Sequence, residues 1–160
     1  MIRSETDKRR FLEPAKRKGA ALVEAAISLT VLLSTLIFVL DFSIASFRSQ
    51  SLNYLAERLA REASVHGNLT STTWRGGPWG PATFNTTLDG TDPIAVLGRT
   101  FCNTLPGDEV SITITWPTGS NEMGNPVVVS VEMPWTPSMF RPVTQSVMTL
   151  RGVSRQTIAH

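Results

Sequence analysis

The segment KRKGAALVEAAISLTVLLSTLIFVL, Lys16–Leu40, decides the fold of this chain. Three basic residues precede Gly19, and the 21 residues from Ala20 to Leu40 then carry a single charge, Glu24. An α-helix rises about 1.5 Å per residue, so this apolar run is about 30 Å long, which is the thickness of a bilayer core. The sequence therefore predicts a transmembrane helix over residues 20–40.

The charges of the chain are unevenly distributed around this helix. The net charge is +2, but residues 1–19 hold seven Lys or Arg and three Asp or Glu, a net of +4, so the remainder carries −2. The basic residues Lys16, Arg17 and Lys18 next to the span predict a cytoplasmic leader and a C-terminal part on the far side of the membrane. Because the folded part is not basic, nucleic-acid binding is not expected.

A cleaved signal peptide is the alternative interpretation of residues 20–40. Its apolar region is usually about 7–15 residues long and ends at a small-residue cleavage site. The run here is longer, contains an acid, and is followed only by a weak small-residue site at residues 42–46. These features favour a membrane anchor over a signal peptide.

The helical pattern continues beyond the span, because residues 41–66 contain neither glycine nor proline and Gly67 supplies a stop signal. Glu57 and Arg61 stand four residues apart in the favourable order on one face. A second face is apolar, which predicts a helix that packs onto a globular domain. A separate, kinked second helix is the alternative. The apolar face consists of Leu52, Leu55, Ala56, Leu59, Ala60 and Ala63.

Glu24 is unusual in a membrane span, because ionisable side chains are costly in lipid. One interpretation is an interfacial carboxylate that reaches toward the basic flank. A second interpretation follows if the chain is cut after Gly19. Ala20 would then carry a free α-amine one helical turn from Glu24, on the same face. An amine from the same chain or from a neighbour would lower the cost of the carboxylate in lipid.

The order of these elements resembles the TadE-like minor pseudopilins of the Tad (tight adherence, Flp) type IV pilus system. The matching motifs are KRKGAALVEAA around the cut, LDFSIASF at the end of the span, and LNYLAERLAREAS in the helix that follows. The resemblance covers residues 16 to about 67. The chain departs from the family pattern at Ala25, where Phe or Tyr is common.

This resemblance implies a function, a location and a set of partners. It implies a prepilin-like structural subunit that a prepilin peptidase cleaves between Gly19 and Ala20. The subunit would assemble with other pilin or pseudopilin subunits through its apolar helix, with Glu24 paired to an α-amine, and would support pilus biogenesis and surface adherence. The implied location is the bacterial inner membrane, single pass, with a periplasmic C-terminal domain that reaches the pilus or cell surface after assembly.

Residues 68–93 are rich in Gly, Thr, Pro and Asn, a composition typical of loops. The loop also contains Trp74, Trp79 and Phe84. Packing onto the domain is the favoured role for these rings, since large aromatic side chains contribute mainly by burial. The alternative is an exposed partner surface for glycans or envelope components, which would make the chain a single-pass, membrane-anchored binding module.

The C-terminal part predicts one short helix followed by strands. The helix starts at Pro93 and is ended by a Pro-Gly pair at residues 106–107. Alternation of apolar and polar residues predicts strands over residues 110–116 and 127–135, with a third over 145–158. The predicted class is α+β, with the N-terminal helix covering a small antiparallel sheet as in pilins. The predicted parts are residues 1–19, leader; 20–40, transmembrane helix; 41–67, amphipathic helix; and 68–160, outer domain.

Residues with catalytic or ligand-binding chemistry are few in this sequence. Cys102 is the single cysteine, which excludes an internal disulfide and favours a buried apolar role. His66 lies at a predicted helix end, where its charge would suit the helix dipole, and His160 is the last residue. Asp89 and Asp92 are interpreted as turn residues rather than cation ligands. We therefore predict a non-enzyme with no cofactor, no metal and no small-molecule substrate.

Overall fold

The computed structural model describes residues 13–71, 77–137 and 147–159. These residues form two helices and four strands, and the α+β class predicted from the sequence is confirmed. By internal packing the chain divides into two units, Met1–Asp41 and Phe42–His160. The elements are α1 (Glu13–Ser64), β1 (Phe84–Thr87), α2 (Pro93–Phe101), β2 (Ser111–Thr115), β3 (Pro126–Trp135) and β4 (Met148–Thr157).

The helix α1 contains both the apolar span and the amphipathic segment, so the two are one helix rather than two separate ones. It starts at Glu13, seven residues before the apolar run, and its last residue is Ser64. After α1, His66 and Gly67 lie in a turn that is closed by a hydrogen bond from the His66 amide to the Ala63 carbonyl. The stop signal at Gly67 is thus placed within three residues of the helix end.

The four strands form one antiparallel sheet in the order β1-β2-β3-β4. In the register between β2 and β3, Ile112 lies opposite Val131. Between β3 and β4, Val131 lies opposite Gly152. All three neighbouring pairs join strands that are consecutive in the chain, as is common in sheets, and α2 lies in the connection between β1 and β2.

The core of the second unit lies between the sheet and the amphipathic face of α1. Every residue of the predicted apolar face, from Leu52 to Ala63, has no exposed surface. The alternating positions of β2 and β3 supply the other side of the core, which explains why residues 110–116 and 127–133 alternate in sequence. The buried strand residues are Ile112, Ile114, Val127, Val129, Val131 and Met133.

At Gly152 the backbone of α1 lies against the sheet. A β carbon added at Gly152 would lie 2.5 Å from the carbonyl carbon of Leu52 and 2.7 Å from the backbone nitrogen of Asn53. Real β carbons essentially never approach other atoms so closely. Glycine at this position therefore allows the backbone of α1 to lie directly on β4.

The strand β1 was not predicted, because residues 68–93 were interpreted as a loop. This strand has only four residues, FNTT, and its composition of Asn and Thr carries almost no hydrophobic alternation. Its pairing with β2 over Phe84–Thr87 gives the sheet a fourth strand. Long-range pairing with an existing edge, rather than local propensity, is what makes these residues a strand.

The helix α2 begins at Pro93, as the sequence predicts, and the structure shows Asp92 as its N-cap. One carboxylate oxygen of Asp92 accepts hydrogen bonds from the amides of Ile94 (3.1 Å) and Ala95 (3.0 Å). The other accepts one from the Thr86 hydroxyl, which ties the cap to β1. The helix ends at Phe101, earlier than the Pro-Gly pair, because the next residue adopts an extended conformation. That residue is Cys102, which is buried in the core as predicted.

Candidate functional site

The apolar span of α1 is the largest exposed hydrophobic surface in the described residues. The span is long and apolar enough to cross a membrane, and the described residues bury none of its most apolar stretch. The hydroxyls of Thr30 and Thr35 donate to the carbonyls of Ala26 and Val31, both at 2.8 Å. Such bonds satisfy polar groups inside the helix, as lipid requires. The side chains of the span that are at least 60% exposed are Leu22, Val23, Ile27, Val31 and Leu40.

Gly19 lies inside α1, immediately before this span, in an open environment. A β carbon added at Gly19 would meet no atom within 4 Å. Glycine in a helix interior costs about 1 kcal/mol relative to alanine. Neither packing nor helix formation in this chain therefore requires a glycine at the residue before the predicted cut.

Ala20 and Glu24 are both helical and exposed, and they are separated by one turn of α1. This spacing places their side chains on the same face. Within the described part of the chain, no hydrogen bond or ion pair involves the Glu24 carboxylate. The basic residues Lys16–Lys18 lie in the first turns of α1, on the side of Gly19 away from the span.

The second unit contains an ordered cluster around His66 and Trp79. Their rings are stacked, with centroids 4.4 Å apart and planes inclined by 8°. His66 Nδ1 lies 2.7 Å from the Gly77 carbonyl oxygen, and the Trp79 amide donates to the His66 carbonyl at 2.8 Å. The Asn121 side-chain amide donates to the Trp79 carbonyl at 2.9 Å. The residues around Trp79 are therefore fixed to the end of α1 by both rings and backbone.

The predicted aromatic surface is distributed differently in the structure. Trp79 and Phe84 are partly buried and pack against the hydrophobic core. Trp74 and His160 lie outside the described residues. A partner surface formed by all three rings stays a prediction, while the contacts of Trp79 and Phe84 are those expected of packing residues.

Acidic, histidine and cysteine side chains do not form a ligand set in the described residues. Residues 13–71, 77–137 and 147–159 contain no group of three or more such side chains that could hold a metal ion. Asp89 accepts a hydrogen bond from the Thr87 hydroxyl at 2.6 Å, and Asp92 caps α2. Asp89 thus makes a local contact and Asp92 stabilises the start of a helix.

The sequence of α1 also matches a known family. Residues 19–61 match the family model described as TadE-like protein. This segment is TadE-like. No curated protein and no solved structure matches the chain.

The TadE-like segment begins at Gly19 and ends at Arg61, so it contains the whole apolar span and most of the amphipathic face that packs on the sheet. TadE-like proteins are a structural, pilus-associated family. The match concerns this segment alone, and the exposed apolar helix within it is long and apolar enough to cross a membrane. The sheet and α2 lie outside the matched residues.

Proposed function

We propose that this chain is a prepilin-like structural subunit, a minor pseudopilin, of a Tad pilus. It is made as a membrane-anchored precursor, cut after Gly19, and assembled through its apolar helix to support pilus biogenesis and surface adherence. One observation carries the proposal. The TadE-like match starts at residue 19, next to the predicted cut, and continues through an apolar span that none of the described residues covers.

The topology that we propose follows from the charges around the span. Lys16, Arg17 and Lys18 keep the leader in the cytoplasm, and the unit that begins at Phe42 lies in the periplasm. A prepilin peptidase in the inner membrane then acts at the cytoplasmic end of the helix. The open surroundings of Gly19 support this proposal, because no packed side chain has to move before the backbone is reached.

Assembly of the cleaved subunit uses the apolar surface of residues 20–40. The apolar side chains of residues 20–40 are available to pack against the helices of neighbouring subunits once the subunit leaves the lipid. The new α-amine of Ala20, or that of a neighbour, pairs with the Glu24 carboxylate. In a low-dielectric environment such a pair is far less costly than either charge alone, so it fixes the register of adjacent helices.

N-terminal sequencing tests the proposal directly. The full chain is expressed with and without a Tad prepilin peptidase, extracted from membranes and sequenced. With active peptidase we expect a chain that begins at Ala20, and without it a chain that begins at Met1. A substrate already known to be cleaved by that peptidase, produced in the same cells, verifies that the enzyme is active.

Two valine variants separate a specific cut from a general effect on the helix. Gly19→Val places a branched side chain at the residue before the cut, and we expect it to abolish cleavage. Ala26→Val places the same side chain at another exposed position of the same helix, and we expect normal cleavage. If the wild-type chain still begins at Met1 beside an active peptidase, the proposal is wrong.

A further inference from the structure

A cleft with a volume of about 510 Å³ lies in the second unit, where the C-terminal end of α1 meets α2 and Trp79. Its volume is within the usual range of about 300–1,000 Å³ for binding sites. The described residues that line it divide into an apolar wall and a charged wall. Nothing in the proposed assembly through residues 20–40 uses this cleft.

The apolar wall is preformed. Pro93, Leu97 and Phe101 follow one another at four-residue spacing on one face of α2. Leu97 and Phe101 are partly buried against the hydrophobic core, so they are held in place from below. The fourth member, Trp79, is fixed by its stacking on His66. A ligand that contacts this wall therefore does not have to order it first.

The described residues of the charged wall belong to α1, and among them Arg58 is the arginine that forms no ion pair. Glu62 is directed inward, since its side chain is 14% exposed and Oε1 lies 3.6 Å from His66 Nε2. Arg61 is paired with Glu57. Arg58 differs, because its only hydrogen bond in the described residues uses Nε, which donates to the Tyr54 hydroxyl at 3.1 Å.

The contacts of Arg58 leave its terminal amino groups free to bind an anion. The guanidinium carbon lies 5.2 Å from the centroid of the Tyr54 ring, so the ring and the hydroxyl together orient the side chain. A guanidinium held in this way offers parallel N–H donors that match a carboxylate. Arg58 is thus an oriented cation at the rim of an apolar wall.

We propose that this cleft binds a segment of a partner protein that presents an apolar side chain next to a carboxylate. The apolar side chain contacts Leu97 and Phe101, and the carboxylate accepts hydrogen bonds from the terminal nitrogens of Arg58. Charge complementarity argues for this occupant, because Glu62, the only acid among the described lining residues, is directed toward His66. An apolar wall beside a single oriented guanidinium suits a side-chain pair better than an isolated anion.

Methyl NMR of the full chain in phosphatidylcholine nanodiscs tests the proposal. The probes are two short peptides, acetyl-Gly-Phe-Asp-Gly-amide and its Asn counterpart, which differ only in the carboxylate. We expect the Asp peptide to shift the Leu97 methyl resonances but not those of Leu150, which lies in β4 at the opposite edge of the sheet from β1. We expect the Asn peptide to bind about tenfold more weakly, the loss typical of one charge-assisted hydrogen-bonded contact.

Two arginine variants provide the matched comparison. Arg58→Gln should reduce the affinity of the Asp peptide to that of the Asn peptide. Arg155→Gln removes the same charge from an exposed position in β4 and should leave the affinity unchanged. Equal affinity for the two peptides, or no effect of Arg58→Gln, would overturn the proposal. Leu97 shifts of equal size with inorganic phosphate would also overturn it, since they would indicate general anion binding. The assay involves no cleavage at Gly19, so its result is independent of the proposed function.

Discussion

Gly152 is the position in the second unit at which we expect a substitution to be tolerated least. A β carbon added there would lie 2.5, 2.6 and 2.7 Å from the Leu52 carbonyl carbon, the Leu52 oxygen and the Asn53 nitrogen. Carbon atoms in contact are normally about 3.5–4.0 Å apart. Gly152→Ala therefore forces α1 and β4 apart by roughly 1 Å, because the atoms in the way belong to backbone and cannot rotate aside.

The magnitude follows from what lies between these two elements. A gap of about 0.5–1 Å forfeits a quarter to a half of the dispersion energy of each contact it affects, and Leu52, Leu55 and Leu59 are fully buried there. Overpacking a core lowers the free energy of unfolding by about 1–3 kcal/mol. We expect the upper end of that range, because the clashing atoms belong to the backbone. Replacing glycine by alanine also lowers the conformational entropy of the unfolded chain, which raises the free energy of unfolding by about 0.4–1 kcal/mol. We expect a net loss of about 2 kcal/mol in the free energy of unfolding.

Urea unfolding of the full chain in nanodiscs measures this loss. Tryptophan fluorescence reports on the second unit, because Trp116 is only 5% exposed and α1 contains no tryptophan. Val153→Ala is the strand control, since Val153 is 49% exposed, and it should cost less than about 0.5 kcal/mol. Gly119→Ala is the glycine control. The added β carbon would meet no atom within 4 Å, so the positive φ is the only source of strain for the alanine. A Gly152→Ala variant as stable as Val153→Ala would refute this account of the helix–sheet contact.

Two further substitutions test the elements around the cleft by the same measurement. Asp92→Ala removes the acceptor for two amides at the start of α2 and should cost about 1 kcal/mol, whereas Asp89→Ala, which removes one exposed hydroxyl contact, should cost less. Trp79→Ala removes the ring stacked on His66 and part of the core contact, for an expected loss of about 2–3 kcal/mol. Leu69→Ala is the control, because Leu69 is 69% exposed. A Trp79→Ala variant with an unchanged free energy of unfolding would contradict a packing role for Trp79.

The parts of the fold that the sequence predicts correctly are those with strong periodicity. The three- and four-residue spacing of the apolar residues from Leu52 to Ala63 identified the buried face of α1, and alternation identified β2 and β3. Periodicity works here because each element buries only one of its faces against a single layer. The start of α2 at Pro93 was recognised for a similarly local reason.

The parts that the sequence did not predict depend on contacts between distant residues. β1 is a strand because β2 offers it an edge, and its four residues carry no pattern of their own. The cleft was missed because Arg58 and Leu97 are separated by 39 positions in sequence and meet only through the fold. His66 was interpreted as a residue at a helix end, but stacking on Trp79 depends on the path of the intervening chain.

Gly19 and Gly152 show how a glycine required by folding differs from one that is not. At Gly152 the backbone of α1 fills the space of a side chain, whereas at Gly19 nothing does. In the uncut chain, Gly19 weakens α1 by about 1 kcal/mol relative to alanine, without any packing benefit in return. Cleavage after Gly19 would remove that weak point and make Ala20 the first residue of the helix. Glu24 would then lie near the positive end of the helix dipole and one turn from an α-amine, both of which stabilise a carboxylate. A single cut therefore accounts for two residues that the fold of the uncut chain leaves unexplained.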